Sequence, residues 1–221
     1  DYWISDGIQV YMMMKYMDEF HPQSKMMGSI SKFKILKSFN LVNLDFNQQY
    51  SYYYLLMVRK NLDQALNEPK DKLIRFNERI ASKYKAGLSF NYLDSYLEQN
   101  IIPTSIKEFY ALSSEKQVSR SDFEILLKSK STKNLDWFFN TIIDSRDLID
   151  YKFGKIIKEK DSLTFTIKNN NKTTVPIPVF GVKNKQVLFK KWLENIKTDS
   201  TFTVPRTGYD KIVINYKNEV P

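Results

Sequence analysis

The 221-residue sequence has no cysteine, only 6 glycines and 7 prolines, and a single histidine. The lack of cysteine excludes disulfide bonds and thiolate metal sites within this sequence. So few glycines and prolines favour long regular elements over a loop-rich architecture. No apolar run is long enough to span a bilayer, because Lys15 interrupts the run that begins at Tyr11. We therefore expect no membrane segment, and no targeting signal indicates a compartment.

The composition provides enough apolar material for one large domain or two smaller ones. Hydrophobic residues make up 42% of the chain and aromatic residues 14%, which argues against disorder. The formal charge of +9 raises the question of a nucleic-acid partner. Basic residues alternate with acidic ones, however, as in the run Glu68-Pro69-Lys70-Asp71-Lys72, and this is typical of solvated helix faces. We expect no nucleic-acid partner, and a basic nucleic-acid-binding helical domain ranks last among the alternatives.

The chain opens on a predicted helix from Ser5 to Phe20. Ser5 is placed to accept a hydrogen bond from the first free amides, and Asp6 puts a negative charge where the helix dipole favours one. His21 precedes Pro22, and a residue before proline is disfavoured in a helix, so the helix should end there. His21 is interpreted as a solvated cap residue in preference to a metal ligand.

Helical periodicity continues through most of the first 140 residues. A second pattern covers Lys25 to Phe39. A third opens at Glu68-Pro69 and should end at Gly87, a residue type that often follows a helix. Phe90 to Leu97 continue the helical spacing, and we expect these segments to form a multi-helix domain.

Two short motifs predict further helix starts. Ser105 with Glu108, and Ser121 with Glu124, both fit a capping box. In this motif the hydroxyl and the carboxylate three residues later satisfy two free backbone amides. Each motif is therefore expected to open a helix.

From about Phe153 onward the pattern alternates in the manner of β-strands. Turn-rich runs separate short β-branched segments, which predicts an antiparallel sandwich. Pro176 and Pro178 cannot donate to a ladder, so we expect their strand at a sheet edge. The predicted class is α+β, with a multi-helix α domain at residues 1–148 followed by a small antiparallel β-sandwich at residues 149–221. The segments predicted as strands are Leu163–Ile167, Val175–Phe180, Val187–Phe189, Phe202–Val204 and Ile212–Tyr216.

The opening run, Trp3-Ile4-Ser5-Asp6-Gly7 followed by Tyr11, resembles a segment of the gluzincin aminopeptidases, the aminopeptidase N-like zinc metallopeptidases. In that family the run reads roughly W-L-N-E-G-F-A-x-Y, and its Glu is the third protein ligand to zinc. The resemblance places Asp6 at the ligand position. Zinc binds carboxylate oxygen at about 2.0–2.2 Å, so a side chain one methylene shorter requires the helix or the metal to move.

A second run resembles the same family near Tyr50. The family has a tyrosine at a helix start, in a run like Y-E-K-G-A-x-x-L, whose hydroxyl stabilises the oxyanion of the tetrahedral intermediate. The resemblance implies that Tyr50 is this oxyanion donor, although Tyr53 stands where the family has glycine and the match can also slide to Tyr52. Without the resemblance, these tyrosines are packing residues near a helix start.

A third run, Leu135-Asp136-Trp137-Phe138-Phe139, resembles the D-L-x-W-F-F run common in these aminopeptidases. Three successive aromatic side chains point to different sides of a helix, so at least two faces need cover. We interpret Trp137 and Phe138 as structural anchors at a domain interface, with no catalytic role.

The resemblance implies that the chain is the downstream part of a zinc metallopeptidase that hydrolyses peptide bonds with a metal-activated water. The family's H-E-x-x-H motif needs two histidines, and this sequence has only His21. We therefore expect the motif upstream, in a preceding domain of the same polypeptide that is this chain's partner. Zinc and the peptide substrate would belong to the full-length protein, and the chain alone should have no cofactor and no activity. The alternative is a non-catalytic scaffold or peptide-binding module that has lost the metal, which the Asp6 replacement supports.

Overall fold

The computed structural model describes residues 1–32 and 40–221. Within these residues a helical region precedes two antiparallel three-stranded sheets, which confirms the predicted α+β class. The chain divides into two compact units, Asp1–Lys133 together with Pro221, and Asn134–Val220. None of the helices in the described ranges is both long and apolar enough to cross a lipid bilayer.

Six α-helices lie in the described part of the first unit. They are α1 (Tyr2–Phe20), α2 (Asn40–Asn43), α3 (Gln48–Arg59), α4 (Ser82–Leu97), α5 (Ile101–Glu115) and α6 (Arg120–Lys130). Short turns of other helical types accompany them: 3₁₀ turns at Gly28–Lys32 and Lys70–Lys72, and π-helical turns at Asn77–Ala81 and, in the second unit, Phe138–Ile143.

The start of α1 differs from the prediction, whereas its end agrees with it. The helix begins at Tyr2 with Asp1 in the N-cap position, so the predicted start at Ser5 is wrong. Ser5 lies inside the helix, and its hydroxyl donates to the Tyr2 carbonyl at 3.1 Å instead of capping the helix. At the other end the backbone N–H of the exposed His21 donates to the Met17 carbonyl, as expected of a cap residue.

The predicted second helix, Lys25 to Phe39, is only partly within the described residues. Its first part is a turn followed by the 3₁₀ segment Gly28–Lys32, and residues 33–39 lie outside the described ranges. An isolated antiparallel bridge pairs Lys25 with Asp45. This pairing takes Lys25 out of any helix, so the predicted helix start there is wrong.

The helix predicted from Glu68-Pro69 to Gly87 is misplaced at both ends. Leu73 has extended backbone after the 3₁₀ turn, which separates that turn from the following helix. Gly87 does not terminate a helix but lies in the interior of α4. A Cβ built on Gly87 would sit 2.2 Å from Val10 Cγ1, so this glycine allows α1 and α4 to approach closely.

Large aromatic side chains form the core of the helical unit. The ring centroids of Trp3 and Phe90 lie 6.0 Å apart, those of Phe90 and Phe123 lie 5.5 Å apart, and those of Phe109 and Phe123 lie 5.1 Å apart. All four side chains are buried. These contacts join α1, α4, α5 and α6, so helices distant in sequence share one core.

Neither predicted capping box opens a helix. Ser105 is fully buried within α5, which begins four residues earlier at Ile101. The structure has a capping box two residues before the predicted one on α6: Ser119 accepts from the Asp122 N–H, and the Ser119 N–H donates to the Asp122 carboxylate. Both helices exist, but the motif is too short to identify the residue at which each begins.

The second unit contains the predicted antiparallel sandwich. Its strands are β1 (Tyr151–Lys158), β2 (Ser162–Asn169), β3 (Ile177–Lys183), β4 (Gln186–Leu193), β5 (Ser200–Pro205) and β6 (Lys211–Ile214). One sheet has the order β1-β2-β5 and the other β4-β3-β6. Both sheets contribute buried side chains to a single core that includes Phe165, Ile167, Val179 and Leu193.

The strand with the prolines is central, so the predicted edge position is wrong. β3 pairs with β4 on one side and with β6 on the other. The ladder with β6 begins only at Val179, and the Pro178 carbonyl accepts from the Asn215 N–H just beyond β6. Pro178 therefore lies at the end of the pairing with β6, where its carbonyl can still accept a hydrogen bond although it has no N–H to donate.

Candidate functional site

Asp6 lies on α1 beside the first turn of α4. Its Oδ1 is 3.6 Å from Nζ of Lys83, and the two side chains are 18% and 34% exposed. Asp6 is therefore partly shielded from water, and its nearest cation is a lysine of the neighbouring helix. One turn further along α1, Val10 packs against Gly87 of α4.

Tyr2 lies one turn before Asp6 on α1, and two carboxylates act on its phenol. Burial raises the pKa of the nearby Tyr2 phenol to about 12, and the charges of Asp6 and then Glu68 add to this rise. The Tyr2 hydroxyl is buried and has no hydrogen-bond partner within the described ranges. Tyr2 is therefore a neutral phenol at neutral pH, close to two carboxylates and facing the side of α1 that carries Asp6.

Tyr50 lies near the start of α3 and packs against the same two helices. Its side chain is 5% exposed and belongs to a cluster with Val10, Met14 and Leu88. Its ring meets that of Tyr84 edge-on, with centroids 4.8 Å apart. Burial, followed by the interaction with Tyr84, raises the pKa of Tyr50 to about 12. The hydroxyl therefore stays protonated at neutral pH, as a hydrogen-bond donor must.

The two site residues predicted from sequence are connected through α4. Asp6 meets Lys83, and Tyr50 meets Tyr84, which is the next residue along the chain. These four residues, which we call the α4 site, are separated by up to 78 positions in sequence. The packing of α1 and α3 on the start of α4 brings Asp6 to Lys83 and Tyr50 to Tyr84.

Tyr84 is the member of the α4 site that sequence reasoning missed. The family run Y-E-K-G-A-x-x-L has glycine three residues after its tyrosine, a spacing that Tyr50 lacks and Tyr84 has, since Gly87 follows it by three. Burial raises the pKa of Tyr84, and Tyr53 adds to the rise. The Tyr-x-x-Gly spacing is present in the sequence, but interpreting Gly87 as a helix end hides it.

The residues of the α4 site do not by themselves fit a zinc ion. A catalytic zinc requires three protein ligands, whereas Asp6 is one carboxylate already paired with a lysine. Across the described ranges, no three His, Cys, Asp or Glu side chains are grouped closely enough to hold a metal ion. His21 lies at the far end of α1 from Asp6.

Comparison with known proteins finds similarity in three-dimensional structure. No protein-family model and no curated protein matches the chain. Among solved structures, the chain is similar to the crystal structure of Legionella pneumophila aminopeptidase A in complex with aspartic acid, with a TM-score of 0.50 and 16% sequence identity. The similarity covers 77% of this chain but only 21% of that chain.

The similarity to the Legionella aminopeptidase is one of fold. At 16% identity it does not carry over any side-chain function. It does show that 77% of this chain has a fold that also occurs within a longer aminopeptidase. The chain spans about a fifth of the length of that protein, so the activity of the whole enzyme is a matter for proposal.

Proposed function

We propose that this chain is the downstream part of a gluzincin-type zinc aminopeptidase, in which Asp6 stands at the position of the third zinc ligand. The observation that supports the proposal most is the α4 site, where Asp6 and two protonated tyrosines lie around the start of one helix in a chain with an aminopeptidase-like fold. In such an enzyme the metal supplies an activated water for peptide hydrolysis. The remaining ligands would come from upstream residues, and the peptide substrate would bind to the assembled protein.

The role of this chain in the reaction is to present a hydrogen-bond donor. Tyr50 is the donor proposed from the sequence, and its raised pKa favours a protonated hydroxyl. Tyr84 is a second candidate, because it lies on α4 directly after Lys83 and has the Tyr-x-x-Gly spacing. A donor directed at a developing oxyanion is worth a factor of about 10²–10³ in rate.

A second candidate function is a peptidase-like module that binds peptides without a metal. The contact between Asp6 and Lys83 favours this reading, since a lysine already balances the charge of the carboxylate. Such a module would keep the fold and lose hydrolysis. The two candidates differ in zinc content, which can be measured directly.

The test uses the protein extended to include its preceding sequence. Zinc content is measured by atomic absorption, and hydrolysis is followed with a panel of aminoacyl p-nitroanilides. Stoichiometric zinc together with hydrolysis supports the peptidase. A zinc-free protein that binds peptides in fluorescence anisotropy supports the metal-free module instead.

The tyrosine variants then separate the two donors. Tyr50→Phe and Tyr84→Phe each remove one hydroxyl, and Tyr16→Phe is the control because Tyr16 is half exposed on α1. Loss of the true donor should lower kcat by about 10²–10³ with little change in KM, since the bond forms mainly in the transition state. If both variants keep the kcat of the Tyr16 control, neither tyrosine is the donor.

A further inference from the structure

Two ion pairs of opposite polarity join α1 to α4. Near the start of both helices, Asp6 of α1 faces Lys83 of α4 with 3.6 Å between Oδ1 and Nζ. Further along, Lys15 of α1 pairs with Asp94 of α4 at 2.7 Å. The helices run in the same direction, because Val10 meets Gly87 between these two pairs. The second pair thus provides an internal comparison for the first.

We propose that Lys83 is the resident counter-ion of Asp6 and keeps this carboxylate from binding divalent cations. A cation on Asp6 Oδ1 at a ligand distance of about 2.0–2.2 Å would lie at most about 6 Å from the Lys83 ammonium. The side chains are shielded enough that like charges at this distance repel more strongly than they would in water. Metal binding at Asp6 therefore requires Lys83 to move away.

The surroundings of Asp6 explain why a counter-ion is needed. The charges of Asp6 and Glu68 both act on the Tyr2 phenol. A carboxylate that is only 18% exposed is more stable with a cation nearby. Lys83 lies in the first turn of α4, whose position is held by the close contact between Gly87 and Val10.

This inference rests on the proposed function only because that proposal makes Asp6 a zinc ligand. The family resemblance implies a carboxylate that is free to bind metal at this position, whereas the structure has a carboxylate paired with a lysine. Lys83 is accordingly a residue that controls whether Asp6 is available, and it does not act on a substrate. Its test requires no peptidase activity, so it can fail or succeed independently of the zinc and hydrolysis measurements described above.

The experiment titrates Mn²⁺ into the ¹⁵N-labelled 221-residue chain and follows paramagnetic broadening of backbone amide resonances. Wild type is compared with Lys83→Met, Lys83→Arg and Lys15→Met. In Lys83→Met, the amides of Asp6 and Gly7 should broaden at a Mn²⁺ concentration about five- to tenfold lower than in wild type, because the competing ammonium is gone. Lys83→Arg keeps the charge and should resemble wild type.

The Lys15→Met variant is the matched control. It removes the other lysine that links α1 to α4. The amides around Asp94 should therefore broaden at a lower Mn²⁺ concentration than in wild type, whereas the amide of Asp6 should broaden at the same Mn²⁺ concentration as in wild type. Lys83→Gln is a second variant without the lysine charge, and it replaces Lys83→Met in the comparison if that variant does not fold. Equal broadening at Asp6 in wild type and in a folded Lys83→Met or Lys83→Gln variant would overturn the inference.

Discussion

Gly87 of α4 faces Val10 of α1 at a distance that leaves no room for a side chain. A Cβ at residue 87 would lie 2.2 Å from Val10 Cγ1 and 2.5 Å from Val10 Cβ. Gly7 of α1 has a similar role, since a Cβ there would lie 2.7 Å from Cε2 of Phe90. The close approach of α1 and α4 that carries the α4 site therefore depends on two glycines.

Gly87→Ala should destabilise the protein. Alanine is preferred to glycine within a helix by about 1 kcal/mol, but overpacking a close contact costs about 1–3 kcal/mol or more. Because real Cβ atoms do not approach other carbons to 2.2 Å, we expect the packing cost to win, with a net loss of about 1–2 kcal/mol. Urea denaturation followed by circular dichroism measures the free energy of unfolding.

Val10→Ala is the companion variant in a double-mutant cycle. It removes the methyl group nearest to the new Cβ, so the double variant should lose less stability than the sum of the two single losses. Strict additivity, or a Gly87→Ala variant more stable than wild type, would show that the two helices can separate without cost.

Ser119→Ala should destabilise α6, whereas Ser121→Ala should not. Ser119 forms the capping box with Asp122, and loss of an N-cap hydroxyl costs about 0.5–2 kcal/mol. Ser121 is exposed in the first turn and is the serine that the sequence pattern selects. Thermal unfolding of both variants compares the two positions directly. An equal or larger loss of stability in Ser121→Ala would support the helix start predicted from the sequence and contradict the capping role of Ser119.

Tyr50→Phe should reduce the loss of stability at alkaline pH. Burial raises the pKa of Tyr50 in the folded state from 10.0 to about 12, so the unfolded chain loses this proton first as the pH rises. The contribution is complete below pH 10 and is lost as the pH rises toward about 12, amounting to an order of 2 kcal/mol.

Urea unfolding from pH 9 to pH 11 measures this effect. The slope of unfolding free energy against pH should be shallower in Tyr50→Phe than in wild type. Tyr110→Phe changes an exposed ring of α5 and should keep the wild-type dependence on pH. Identical slopes in all three proteins would mean that the Tyr50 hydroxyl is in contact with water in the folded state.

Phe165→Ala should be among the most damaging changes in the sandwich. Phe165 is fully buried on β2, between Ile156 of β1 and Phe202 of β5, and such truncations cost about 3–5 kcal/mol. Ile157→Ala, at a position on β1 that is 43% exposed, should cost well under half as much. Comparable losses, measured by guanidinium denaturation, would contradict the assignment of the core to this side of the sheet.

Much of the fold was predictable because it depends on local pattern. The alternation of β-branched and polar residues identified strands β2 to β6 but not β1, and helical periodicity identified the preceding helical region. The position of β3 was not predictable from its prolines. Where Pro178 lies in the sheet depends on where β6 ends, a property of a segment more than 30 residues away.

The candidate site was predictable only in part. The family resemblance points to Asp6 and Tyr50, and their roles stay proposals. The structure adds that they meet consecutive residues of α4, Lys83 and Tyr84. The lysine opposite Asp6 could not be inferred from the sequence, because no spacing rule relates residues 77 positions apart.

The sequence by itself determined that a helical region precedes a β-rich one, because this order follows from periodicity and composition over short stretches. Only the tertiary structure decided what Gly87 does. In a short stretch of sequence, a glycine within an apolar helical pattern predicts the end of a helix. In the structure Gly87 lies inside α4, where the absence of a side chain lets Val10 of α1 approach closely. The physical reason is that a local pattern reports backbone preference, while the space available at a residue is set by helices that are distant along the chain.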